Sequence, residues 1–303
     1  MATTITGGHP AVPCCTLMVA PRTGVNEPTR RAAAKSAPPL WRVLMWANRG
    51  FVALCGRLVV TGELPDDAGD RSILLAANHI GVFDAFVLTA ACHRAGVAPR
   101  FLVAGGIMDA PVVGWAMRTS GHLRVDRRKS TVLEAFHAAV AALRDGRVAV
   151  LVYPEGRISH DPGLWPERGK SGVARLALAA GAPVVPVSQW GAHESAYWGT
   201  EVVTGWADLQ PVLTSWLRAL ARRPTFQVHF GEPVDLSDLA DTRPGDATRA
   251  RDRIMRAITA GLVPLRPAEP DVPRFHDPTR PTDSLSPWKP DTAASGPDGT
   301  VAR

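Results

Sequence analysis

An α/β fold is predicted: a mostly parallel central sheet flanked by helices, preceded by an amphipathic N-terminal helix. Two observations carry the prediction. Beyond Gly62, short apolar runs alternate with longer stretches of helical character, and the runs are apolar almost throughout, as strands covered on both faces are. The 303 residues are 46% hydrophobic and 20% charged, which is enough to fill one sizeable core.

In chain order, residues 1–37 are rich in Thr, Ala, Pro and Gly and show no period. They are expected to stay flexible, because they bury too little apolar surface to offset the entropy of ordering. Residues 41–60 read differently. At 100° per residue, Arg42, Arg49 and Arg57 fall on one side and Leu44, Phe51, Cys55 and Leu58 on the other, beside Ala47 and Leu54. This is a basic amphipathic helix, set in a 38–62 stretch that leads into the main domain. Such a helix either covers the protein's own core or lies on a membrane surface, and the pattern alone leaves both open.

Strands are expected over 73–77, 101–104, 148–153, 184–187 and 225–230. Helices are expected over 83–95, 130–144, 171–180, 211–221 and 248–260. The main domain therefore spans 63–263. From 264 to 303, Pro, Asp, Thr and Ser dominate, and a second flexible segment is expected.

The formal charge of +6 favours anionic partners. The arginines are scattered and no recognised nucleic-acid motif occurs, so no nucleic acid is expected. No run approaches the ~18 consecutive apolar residues of a membrane span, and the start lacks the compact apolar run of a secretory signal. Any membrane role is expected to be peripheral. Of the 4 cysteines, Cys14 and Cys15 are adjacent, while Cys55 and Cys92 sit in apolar stretches and read as buried thiols of a reducing compartment. His93, His137 and His160 have no ligand spacing, so no metal is expected.

The chemistry-bearing residues cluster at two strand ends. After strand 73–77 comes Asn78-His79-Ile80-Gly81-Val82-Phe83-Asp84. Ligand crevices of open α/β sheets lie beyond the carboxyl ends of the strands. A carboxylate five residues after a histidine there can hold one ring nitrogen and leave the other to take a proton. Taken alone, the pair equally reads as a turn and a helix cap. After strand 148–153 comes Tyr153-Pro154-Glu155-Gly156-Arg157-Ile158-Ser159, whose Pro and Gly force a sharp exit that turns Glu155 and Arg157 toward the same crevice. Between these runs lies Gly121-His122-Leu123-Arg124-Val125-Asp126-Arg127, whose Arg127 has the fork geometry for a phosphate but by itself reads first as a surface arginine.

Two further stretches carry signals of their own. The Gly163–Ser171 stretch carries Gly169-Lys170-Ser171, but with one residue too many between its glycines for a phosphate-binding P-loop. Trp190, Tyr197, Trp198, Trp206 and Trp216 crowd one region, as core aromatics, an interfacial belt or an acyl-chain channel.

The four blocks in order are His79-x4-Asp84, Gly121 to Arg127, Tyr153 to Ser159, and Val185-Pro186-Val187. Together they resemble the glycerolipid acyltransferase family of 1-acylglycerol-3-phosphate acyltransferases and relatives, over roughly 59–233. The resemblance implies that His79 is the base and Asp84 its partner. It implies that Arg127, Glu155, Gly156 and Arg157 line the acceptor's glycerol-phosphate site. One departure is Arg124, where the family usually has an apolar or aromatic residue.

The expected activity is transfer of a fatty-acyl group from acyl-CoA or acyl-carrier protein to the hydroxyl of a lysophospholipid, 1-acylglycerol 3-phosphate first, giving phosphatidate for phospholipid synthesis. The expected setting is an anionic membrane surface on the cytoplasmic side, with no cofactor. Other lysolipids, glycerol 3-phosphate, a glycolipid acceptor, or water in a thioesterase are the alternatives. Thiolate leaves readily, so no acyl-enzyme is required, and the chain has no G-x-S-x-G nucleophile elbow. Backbone N–H groups near Gly81 and Gly156 are candidate oxyanion donors.

Overall fold

The computed structural model describes residues 37–68, 70–125, 131–195, 206–240 and 242–267. Helix α1 (Pro39–Cys55) opens with proline in its first turn, where the missing N–H costs nothing, and buries Trp41, Met45, Val52 and Cys55. It ends earlier than its 41–60 periodicity predicts. Gly56 is extended, and a Cβ there would lie 2.4 Å from Pro224 O, so only glycine lets the chain pass this close. Residues 57–60 then leave the helix for strand β1 (Arg57–Gly62), where Val59, Val60 and Thr61 pair with β7. Helical period cannot register a partner strand far along the chain.

The remaining elements follow in order: β2 (Ile73–Ala77), α2 (Asp84–Arg94), β3 (Pro99–Ala104), α3 (Gly105–Asp109), α4 (Pro111–Thr119) and β4 (Leu123–Val125). Then come α5 (Thr131–Asp145), β5 (Ala149–Val152), α6 (Gly172–Ala180), β6 (Val184–Trp190), α7 (Trp206–Arg222), β7 (Thr225–Phe230) and α8 (Asp246–Leu262). All five expected strands and the five helices beyond α1 are present, within a few residues. The short α3, α4 and β4 are additional.

Seven strands form one sheet in the order β1-β7-β6-β2-β5-β3-β4. From β6 to β4 neighbours run parallel; β7 turns antiparallel to β6, and β1 follows β7. The expected mostly parallel sheet with helices on both faces is what the chain builds. In β2 every residue is buried, and the two-residue period splits it. Ile73, Leu75 and Ala77 join the core under α1 and α2, and Leu74 and Ala76 join the core under α5, α6 and α8. Burying one such leucine or isoleucine stabilises the fold by roughly 1.5–3 kcal/mol.

At the far end the packed fold outruns its expected limit at 263. Leu265 and Arg266 are buried, the guanidinium of Arg266 lying 4.0 Å from the Trp165 ring centre and 3.9 Å from that of Trp190. The apolar stem and a cation between two indoles make this residue part of the core. No described helix is long and apolar enough to cross a membrane.

Candidate active site

The site stands where β2, β5 and β6 end. Asn78, fully buried, locks the first exit to β6: its amide donates to Gln189 O at 3.0 Å, its side-chain oxygen accepts Gln189 N–H at 2.8 Å, and Gln189 Nε2 donates to its carbonyl at 3.0 Å. His79 follows, gripped at both backbone groups. Its N–H donates to Glu155 Oε1 at 3.0 Å, and its carbonyl accepts Ser159 N–H at 2.7 Å.

The turn then brings Asp84 back at the start of α2. Asp84 is fully buried, and its Oδ2 accepts three donors: His79 Nδ1 at 2.8 Å, Ile80 N–H at 2.6 Å and Gly81 N–H at 3.0 Å. A carboxylate oxygen only accepts, so the proton sits on Nδ1 and the Nε2 lone pair is left over. The imidazole is 20% exposed, enough for a reactant to reach it. Beneath it the Tyr153 ring stacks at 4.0 Å and 15°. The Tyr153 hydroxyl and Asp84 Oδ1 are buried without a hydrogen-bond partner among the described residues. Burial, and then the charge of Asp84, raise the phenol well above its ordinary value.

The structure therefore brings His79 and Asp84 together in one hydrogen-bonded pair. The third block is arranged differently from the sequence expectation. Glu155 does not open onto a crevice: it is 4% exposed, and its two oxygens take the N–H groups of His79 and, at 3.2 Å, Glu167. Burial pushes its carboxyl up to about 8, against the pull of those two donors. Gly156 turns the chain at φ +69°, with the exposed Lys170 side chain packed where a Cβ would point. Arg157 is about half exposed and bonds Glu167 at 2.7 Å. Arg127 lies outside the described residues. Arg124, the departure in the second block, makes a two-pronged pair with Asp109 at 2.5 and 3.0 Å.

Both glycine N–H groups considered for an oxyanion are already committed, Gly81 to Asp84 and, at 2.9 Å, Gly156 to Tyr153 O. Tight turns satisfy their own donors, which composition does not reveal.

Sequence reasoning also missed Glu167, which holds Arg157 and His160 N–H and meets Glu155 through its own N–H. It missed Asp161 as well and assigned no role to Ser159, the end of the third block; their side chains fold the loop onto Trp165. The only available signal was the density of polar residues in a stretch with a tryptophan. Of the crowded aromatics, Trp190 packs on Arg266 and Trp216 packs on Phe51 and bonds Cys55 Sγ. Tyr197 and Trp198, and the side chain of Trp206, are outside the described residues. Cys55 and Cys92 are free and buried, as expected. Among the described residues no cluster of three or more His, Cys, Asp or Glu has metal-holding geometry.

Residues 57–190, from the first residue of β1 to the last of β6, match the family model described as Acyltransferase. A chloroplastic 1-acyl-sn-glycerol-3-phosphate acyltransferase of Brassica napus is 27% identical over 48% of this chain and 41% of its own. A 1-acyl-sn-glycerol-3-phosphate acyltransferase of Neisseria meningitidis is 25% identical over 72% and 80%. The chain spans about half the length of the first curated relatives it matches. Among solved structures, the 1-acyl-sn-glycerophosphate acyltransferase of Thermotoga maritima superposes with a TM-score of 0.52 at 21% identity, covering 75% of this chain and 81% of that one, a likeness of fold.

Proposed function

We propose that this chain, which carries an acyltransferase-family domain over residues 57–190, moves a fatty-acyl group from a thioester to the free hydroxyl of a lysophospholipid. The observation that carries the proposal is the His79–Asp84 pair at the end of β2, with Nδ1 held by the carboxylate and the ring partly exposed. A hydroxyl is a poor nucleophile near neutral pH until a base removes its proton during attack, a contribution of roughly 10²–10⁴ in rate. His79 Nε2 takes that proton as the oxygen adds to the thioester carbonyl. The tetrahedral intermediate then expels thiolate, which recovers the proton from the imidazolium. Asp84 stabilises the cation that exists between these steps.

The acceptor in this reading is 1-acylglycerol 3-phosphate and the product phosphatidate, with acyl-CoA or acyl-carrier protein as donor. The exposed cations Lys170 and Arg157 flank Gly156 near the base and suit a phosphate monoester, with Arg127 as the family's further phosphate ligand. No cofactor or metal enters the reaction. A peripheral position on a membrane, cytoplasmic face, fits the exposed apolar side chains. Val43, Trp46 and Leu54 on α1 and Val112, Val113 and Trp115 on α4 are each at least half exposed, on helices that pack together.

The test is an acceptor panel with one acyl-CoA, with thiol release and lipid product measured together. Lysophosphatidate is expected to give phosphatidate, and His79→Ala to lose at least about 100-fold. Equal thiol release with and without acceptor would identify a hydrolase and overturn transfer. Arg127→Ala is expected to raise KM for phosphate-monoester acceptors and to leave a neutral acceptor unaffected.

A further inference from the structure

A second feature lies apart from the dyad. Between the second half of α1, the C-terminal turn of α2 and the start of β1 is a cavity of about 910 Å³. Arg49, Arg57, Arg94 and Arg223 line it, with His93, and no acidic residue does. None of these arginines forms a salt bridge among the described residues. Arg223 is anchored by a 3.0 Å bond to Ala53 O, which fixes it at the rim. Burial, and then the charge of Arg49, press the His93 imidazole below its ordinary value. Four like charges around one hollow repel each other until an anion enters.

We propose that this cavity seats the headgroup of an anionic phospholipid drawn from the bilayer. Its size is that of an organic ligand site and far exceeds a lone phosphate ion. On the same helix, Trp46 is 71% and Leu54 62% exposed, an apolar flank along which acyl chains can lie while the phosphate enters among the arginines. Charge selects the headgroup and the flank selects a lipid. The site adds a composition preference to the membrane setting proposed above and rests on that setting. It is tested without turnover, so it fails or stands separately from the acyl-transfer reading.

The full chain is mixed with vesicles of phosphatidylcholine alone and with vesicles containing about one-third phosphatidylglycerol, and bound protein is measured by flotation. Binding is expected to require the anionic lipid. Arg49→Gln with Arg94→Gln is expected to weaken it about thirtyfold, at about fivefold per arginine. Both side chains are exposed and unpaired, so the melting temperature should hold. A control with the same charge change, Arg147→Gln with Arg256→Gln, both exposed and outside the cavity lining, is expected to bind as wild type. An equal loss in the control would reduce the effect to net charge and overturn the site. So would equal binding to neutral vesicles. Displacement by inorganic phosphate would assign the cavity to a free anion instead.

Discussion

Replacing Asp84 by Asn probes the proposed chemistry most directly. The substitution keeps shape and removes charge. Because Ile80 N–H and Gly81 N–H both point at Oδ2, the amide oxygen has to occupy that position, and the NH2 falls at the Oδ1 side, which is buried and meets no donor. The oxygen still accepts from His79 Nδ1, so the tautomer survives. What disappears is the anion beside the imidazolium. With charge centres about 4 Å apart and an effective dielectric of about 20, that attraction is about 4 kcal/mol. It acts only once the ring is protonated, so it enters kcat as roughly 10³-fold and leaves KM nearly unchanged. Thiol release from acyl-CoA in the presence of lysophosphatidate measures both constants, and circular dichroism checks the fold. A variant within tenfold of wild-type kcat, or one whose loss lies in KM, would refute the assignment of Asp84 as the partner of a base.

Stability should peak near neutral pH. Burial lowers His122 and His193 to about 4, so the unfolded chain binds the extra protons and stability falls as pH drops from about 6.5 toward 4. Burial raises Glu155 from 4.5 to about 8, so between those pH values the folded chain holds a proton that the unfolded chain has lost. This contribution falls by up to about 1.4 kcal/mol per pH unit, is outweighed below about 6.5 by the two histidines, and sets the alkaline limb above it. Urea denaturation across pH reads both limbs, and Glu155→Gln should flatten the alkaline one; an unchanged alkaline slope would contradict the placement of its carboxyl. Arg266→Ala should destabilise the fold by about 4 kcal/mol, the sum of two desolvated cation–π contacts at about 2 kcal/mol each. A loss under about 1 kcal/mol in urea titration would show that the indoles hold without it.

The parts of the fold legible in advance were those whose signal is local. Strands 73–77 and 225–230 match β2 and β7 because each is a short apolar or alternating run between clear breakers. Residues 57–60 were read as helix because their strand identity comes from β7, over 160 positions later. The turn at α3 and α4 was obscured by Gly105-Gly106 and Pro111, which punctuate without announcing a helix. In the site, His79 and Asp84 were legible because five residues and a glycine turn bring them together. Asn78–Gln189 and Glu155–His79 were not, since 111 and 76 residues separate the partners and only the sheet joins them.

The two oxygens of Glu155 tie separate turns to each other, and this bears on how loss-of-function data are to be interpreted. An experimenter who truncates Glu155 and sees turnover vanish would be tempted to enter it among the groups that touch the lipid. Its carboxyl group instead spans the backbones of the imidazole turn and the Glu167 loop. Damage there would tilt the histidine and slacken the Arg157 support in one stroke, giving an inactive protein in which the proposed base and its carboxylate partner are both still present.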